Sequence, residues 1–295
     1  MVLWNVGSAK SSLVSRARLA TVVTVSAALV GGIPSMVSAA GDLTPPTLSL
    51  PANASFVVGT AIGPMAPDPD TGTPLATDGI TMRARWSASD ASGICGYSLQ
   101  SVFADPAEPT WSAWSAQTSV TATTTDYDSQ AGGGAGKWMG YNVRARDCAG
   151  NITQKFVAFR PAVYQEDGRS YGYGTLGTSY SGAWAVTTCV CWSGGTARKT
   201  IQYGARAQFL LDYTERRHPI GLVMEKAPGR GRAQVKLDGV VVATVDTYAA
   251  TATHRSVVWT GSVTSGPHTL TVVNLATTGR ARIDVDAVLV SGLSA

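Results

Sequence analysis

Histidine, cysteine, serine and paired carboxylates are the side chains through which a chain of this kind could do chemistry, and few of them stand at useful spacings. The histidines are His218, His254 and His268, and no two of them flank a glutamate in the zinc-binding helix pattern. His268 follows Gly266-Pro267 at the start of an apolar run, and His218 precedes Pro219, which are structural settings. Gly177-Thr178-Ser179-Tyr180-Ser181-Gly182 lacks the spacing and the strand-to-helix context of a nucleophile elbow. Asp284 and Asp286 share a face of a strand, but a chain with 19 acidic residues offers such pairs by chance. The glycines of Ala131-Gly132-Gly133-Gly134-Ala135-Gly136 are not followed by Lys-Ser or Lys-Thr, nor by a helix, so they do not form a phosphate loop. No catalytic residue, cofactor or metal ligand is therefore assigned, and the chain is not expected to be an enzyme.

Binding is the remaining function. An aromatic ring can stack on the apolar face of a pyranose while Asp, Asn or Arg bonds its hydroxyls. The second half supplies Tyr171, Tyr173, Tyr180, Trp184, Trp192, Tyr213, Tyr248 and Trp259. Most of these suit core or sheet cover. Tyr180 and Trp184 lie in a Gly- and Ser-rich stretch that reads as loop, and Tyr248 follows Asp246 at a strand end. Tyr180, Trp184, Asp246 and Tyr248 are the expected ligand-binding residues.

The elements that must hold them are strands. Between residues 220 and 245, Ile220, Leu222 and Met224 alternate with Gly221, Val223 and Glu225, and Ala227-Pro228-Gly229-Arg230-Gly231 breaks the run. Ala233, Val235 and Leu237 then alternate with Arg232, Gln234 and Lys236, which gives a strand with one buried and one wet face. Asp238-Gly239 accepts positive φ at both central positions of a type I′ turn, so Val240 to Val245 should return beside it. Ile283, Val285, Ala287 and Leu289 read as the inward face of a later strand. Arg232, Gln234, Lys236, Asp284 and Asp286 read as lining solvated sheet surfaces. Further short runs at 55–58, 80–87, 95–102, 119–125, 138–146 and 154–159, with turn residues between them, complete an all-β chain. Its expected parts are a signal peptide at 1–40, a sandwich at 44–160, a Pro-containing linker at 161–170 and a second sandwich at 171–292.

The signal is read from a basic start, an apolar run from Leu19 to Val30, and small residues that fit cleavage after Ala39 or Ala40. The apolar run is about 12 residues to Gly31-Gly32, against roughly 20 for a membrane span. The expected product is secreted, extracellular and unanchored. The formal charge of +4 includes Lys10, Arg16 and Arg18; removing them leaves 20 of the 23 basic residues against 19 acidic ones, a net of +1. Nucleic acid is therefore not an expected partner.

Tyr141-Asn142-Val143-Arg144-Ala145-Arg146-Asp147, closed by Gly150-Asn151, resembles the penultimate strand of immunoglobulin-like and fibronectin type III domains. On that topology the turns bearing Cys95 and Cys148 lie at the same end of the sandwich, and in an oxidising compartment they should form a disulfide. Trp111-Ser112-Ala113-Trp114-Ser115 resembles the Trp-Ser-x-Trp-Ser box of cytokine-receptor fibronectin domains. Here it precedes the arginine-bearing strand, so only the physics of stacking on Arg144 and Arg146, or Arg83 and Arg85, carries over. The second half, from Gly204-Ala205 through Leu237-Asp238-Gly239, Val245-Asp246-Thr247-Tyr248 and Gly266-Pro267-His268-Thr269-Leu270 to Val285-Asp286-Ala287, resembles galactose-binding-like jelly rolls and carbohydrate-binding modules. That resemblance implies a polysaccharide or other glycan as partner. The rival is a surface protein that binds another protein through its β edges and the Trp111 and Trp114 face. Cys189 and Cys191 are the other cysteines. Two apart on a regular strand they would sit at the edge of disulfide geometry, so a bridge between them needs a bulge or local twist, and export favours oxidation.

Overall fold

The computed structural model describes residues 41–50, 54–63, 65–67, 74–76, 79–104, 112, 115, 117–123, 126–129, 135–171, 176–213 and 218–293. The segment 1–40 read as a signal peptide lies outside them, as do Tyr173, Trp111 and Trp114. Among the described residues every long element is a strand, and no helix is long and apolar enough to cross a membrane.

The Asp238-Gly239 hairpin forms as its turn chemistry dictates. Arg232–Leu237 and Val240–Asp246 pair antiparallel, and Asp238 and Gly239 take φ of 51° and 81°, both in the left-handed region a type I′ turn needs. The hairpin completes a five-stranded sheet in the order Gly177–Ser181, Arg206–Tyr213, Gly266–Asn274, Arg232–Leu237, Val240–Asp246. The preceding run is not a third strand of that hairpin. The 227–231 turn carries the chain across to a second sheet, where His218–Lys226 lies between Thr253–Val263 and Ile283–Leu293. The two sheets make the jelly-roll sandwich, closed on Phe209, Leu211, Ile220, Leu222, Met224, Leu270 and Val285.

The first half is also a sandwich. Ser55–Phe56, Met82–Arg85 and Asp126–Ser129 form a three-stranded sheet. Across the core from it lie Ile94–Ala104, Trp138–Asp147 and the start of Ile152–Gln165, around Met82, Trp86, Leu99, Met139, Tyr141, Val143 and Phe159. Cys95 and Cys148 are bridged, as the topology leads one to expect.

The segment 161–170 is not a linker. Ile152–Gln165 is one strand that pairs first with Trp138–Asp147 and then, from Phe159 onward, with Ile283–Leu293. Pro161, which has no N–H to donate, falls just past the last residue paired with the first partner, Phe159. Residues 165–168 close a turn, and Ser170–Tyr171 returns along the same strand. The two sandwiches thus share a ten-stranded sheet. Phe159 and Val163 face the first core, while Ala162 and Tyr164 face the second, so the smaller sheets cover opposite faces of the shared one. Phe56 and Ile62 from the first half join Val223, Val257, Ala287 and Leu289 in one cluster, and Ile62 and Val257 also bond to the facing chain segment.

This sharing alters what loss of the first disulfide should do. Cys95→Ser releases a closed loop and should lower stability by about 2–4 kcal/mol. With the cores joined through one sheet, calorimetry should show a single transition displaced downward, not a weakened first half beside an unchanged second half.

Candidate functional site

The registers bring the turns at 181–185, 200–206, 226–232, 246–253 and 274–283 to one end of the jelly roll. Asp246 closes its strand there. Its carboxylate accepts both terminal nitrogens of Arg280, at 3.0 and 3.2 Å, and the backbone N–H of Tyr248 at 3.0 Å. These bonds, Arg280's first among them, hold the Asp246 carboxyl below its ordinary range. The Arg280 guanidinium also lies 4.8 Å from the centre of the Tyr248 ring, in cation-π contact. Tyr248 is 49% exposed. A half-open ring is therefore fixed in place with a carboxylate and a guanidinium at its rim.

The support beneath is a chain of charges. Arg280 donates to the carbonyl of Arg230 at 2.9 Å. The Arg230 side chain forms ion pairs with both Glu225 and Asp284, which are almost wholly buried. Asp284 also takes Arg282 at 2.5 Å. Glu225 Oε1 lies 3.0 Å from His254 Nδ1, an ion-pair contact without hydrogen-bond alignment, and His254 meets the buried Trp192 ring edge to face at 5.6 Å. Gly231 has no room for a side chain: a Cβ would lie 2.0 Å from the Arg280 carbonyl oxygen.

Asp284 and Asp286, read as lining a solvated face, are buried. The face expected to be wet is covered by the 189–195 loop, by Arg230 and by Gln165 and Glu166. Asp286 is the extra residue of a bulge, since Val223 pairs with Ala287 and Met224 with Val285. The bulge reverses the alternation. Ile283 and Val285 face the five-stranded sheet before it and Val288 and Val290 after it, while Ala287 and Leu289 turn to the other core. Asp286 accepts the Ser193 hydroxyl at 2.6 Å and its N–H at 3.1 Å, and burial pushes its carboxyl up to about 7. Burial likewise raises the Glu166 carboxyl beside it.

Tyr180 and Trp184 do not stand free on a loop. Tyr180 is in the strand Gly177–Ser181, its hydroxyl donates to the Glu166 carbonyl at 2.5 Å, and Arg198 covers its ring at 4.6 Å. Trp184 meets Tyr180 edge to face at 5.3 Å, donates to the Ser181 carbonyl and packs on the core. Small neighbours let these rings fold inward instead of outward. Trp184→Ala should accordingly lower stability, by about 2 kcal/mol, seen as a fall in thermal midpoint. The strand Ala185–Thr188 ends just before the cysteines, and Cys189 and Cys191 lie in the turn beyond it. Leaving the strand brings their α-carbons to 5.0 Å, within reach of a bridge, and they are bridged. Tyr203, 74% exposed at the same end as Tyr248, is not among the expected residues; its place beside Gly204 in a turn is the available signal.

Two other places could hold a ligand. On the outer face of the five-stranded sheet, a groove of about 290 Å³ is lined by Arg206, Gln208, Lys236, Asp238, Thr269 and Thr271, with no aromatic ring among the described residues. At one end of the first sandwich, carboxylate oxygens of Asp42, Asp90 and Asp147 lie within 4.8 Å of one another and could hold a divalent cation. Local donors already serve them: Thr44 N–H for Asp42, Ser92 for Asp90, Asn151 for Asp147. The Thr44 bond foremost lowers the Asp42 carboxyl. The wide separation of these residues in the chain hid the grouping from sequence reading.

Comparison with known proteins gives likeness in shape only. No protein-family model matches the sequence, and no curated protein matches it. A β-(1,4)-mannanase of Podospora anserina, comprising a GH26 and a CBM35 domain, is 18% identical over 46% of this chain and 28% of its own, with a TM-score of 0.34. A family 35 carbohydrate-binding module from Clostridium thermocellum is 13% identical over 44% of this chain and 96% of its own, with a TM-score of 0.33. A CBM36 module solved with calcium and xylotriose is 9% identical over 45% and 98%, at 0.29. The chain thus spans little more than a quarter of the mannanase.

Proposed function

We propose that the chain is a secreted, non-catalytic binding protein that recognises extracellular or cell-wall glycans through the loop end of its jelly roll. The half-open Tyr248 ring, held by Arg280 and rimmed by Asp246, carries this reading. It offers an apolar face for a sugar ring and charged groups for its hydroxyls. Two disulfides and the signal-like segment at 1–40 support export. Burial of Asp284 and Asp286 beneath ion pairs and hydrogen bonds takes that carboxylate pair out of reach of a substrate, which supports a role without catalysis.

A glycan array combined with pull-down on insoluble polysaccharides tests the reading. Tyr248→Ala should reduce affinity for the bound glycan about five- to thirtyfold, since a stacked ring contributes on the order of 1–2 kcal/mol through the apolar area it covers. The thermal midpoint should stay nearly unchanged, because Arg280 keeps its bonds to Asp246. The rival reading, a surface protein that binds another protein, draws on the edge strand Val240–Asp246, where Val240, Val241 and Val242 are exposed and only one side is paired. Retention on a protein partner with no glycan bound would favour it.

A further inference from the structure

We propose that the outer face of the first sandwich carries a second binding groove, built for the carboxylate groups of an acidic polysaccharide. The groove, about 310 Å³, runs over Gly96 and Ser98, with Gln117 and Ser119 on one side and Arg144, Arg146 and Ile152 on the other. Arg144 pairs across the sheet with Ser98, and Arg146 with Gly96; Ser98 in turn pairs with Ser119. Small side chains on the floor leave the space that the two arginines border.

The charge in this groove is unbalanced. Among the described residues no acidic side chain lines it, and neither guanidinium is in an ion pair with any of them. Arg83 and Arg280, by contrast, are held, Arg83 by Asp128 at 2.5 Å and Arg280 by Asp246, while Arg85, Arg206 and Arg232 share the lack of a carboxylate partner among the described residues. Arg144 Nε is shut off from solvent and has no acceptor among the described residues. Arg144 is half-buried and Arg146 exposed, so an anion entering the groove would meet guanidinium groups that no described carboxylate holds. Residues two apart on a strand put their guanidinium groups on the same face about 6.5–7 Å apart at the backbone, so both can meet one chain of spaced anions.

The occupant follows from the lining. The planar guanidinium fork matches a carboxylate with two parallel hydrogen bonds. The hydroxyls of Ser98 and Ser119 and the amide of Gln117 suit sugar hydroxyls. With two cations and no further basic residue among the described residues of the lining, the groove fits a polymer of modest charge density better than a densely sulfated one. It lies on the other sandwich from Tyr248 and does not rest on the reading of that site.

The test is affinity electrophoresis of residues 41–295 through polygalacturonate and through the same polymer fully methyl-esterified, which removes the charge and keeps the backbone. Wild type should bind the free acid at least tenfold more tightly than the ester. Arg144→Gln with Arg146→Gln should abolish that difference, while Tyr248→Ala should leave it in place. Arg144→Lys with Arg146→Lys keeps the charge without the fork and should lose several-fold. Ser119→Glu, at an exposed position away from the arginines, should weaken binding with the fold intact and guards against a glutamine variant that misfolds. Equal binding of acid and ester, wild-type affinity in either arginine pair variant or in Ser119→Glu, or equal competition by dextran sulfate at matched charge would overturn the proposal. So would no binding of the free acid at all.

Discussion

Replacing Arg230 by Met should lower the stability of the described chain by about 3 kcal/mol at neutral pH, the low end of what breaking a buried ion pair costs. Arg230 is the cation shared by Glu225 and Asp284, both nearly inaccessible to water. Removing it leaves Asp284 with Arg282 as its cation and Glu225 with only the unaligned contact to His254, so one of the two charges keeps an ionic partner. The asymmetry of such pairs supplies the check. Arg230→Met combined with Glu225→Gln and Asp284→Asn removes the unbalanced charges as well, and it should be more stable than Arg230→Met alone in denaturant unfolding. If the triple variant is no better, the network holds the turn by packing and not by charge. Because Arg230 also carries the carbonyl that fixes Arg280, the single variant should weaken the glycan binding proposed for Tyr248 too.

The second large effect concerns Asp286. Its folded pKa is raised from 3.8 to about 7, chiefly by burial, so the folded state holds a proton there that the unfolded chain has released. The sign follows: the stability tied to this proton is full below about pH 4 and is lost as pH rises towards 7. The span amounts to on the order of 4 kcal/mol. Asp286→Asn should remove the slope. The stability difference between variant and wild type should move in the variant's favour from pH 4 to pH 8, a comparison in which the other titrating groups largely cancel. A difference that stays flat across that range would show that the carboxyl is not protonated in the folded protein.

Local rules in the chain were enough for the hairpin. Asp238-Gly239 sets two positive φ angles with no help from distant residues, and Ala233 and Val235 are buried in alternation with the half-buried or exposed Arg232, Gln234 and Lys236 because one side of that sheet stays open. The all-β class followed from the same period of two, and the Cys95–Cys148 bridge from the order of strands. The position of Asp246 and Tyr248 at a strand end was legible, and a strand end is where a side chain can be both fixed and open.

What escaped sequence reading depended on what covers a strand's second face. His218–Lys226 and Ile283–Leu293 read as alternating, yet almost every residue of the first is buried, because a sheet shared by two sandwiches has no wet side. Nothing in the local pattern announces a cover supplied by Phe56 and Ile62 from far away in the chain. The bulge at Asp286 is equally silent, since one extra residue reverses the phase only when the partner strand's register is known. Pro161 read as a linker residue because a proline interrupts a strand unless the strand changes partners at that point, which only the folded sheet decides. Tyr180 and Trp184 turned inward for the same kind of reason: Arg198 and the Glu166 carbonyl, brought alongside by the fold, gave the Tyr180 ring and hydroxyl better partners than water.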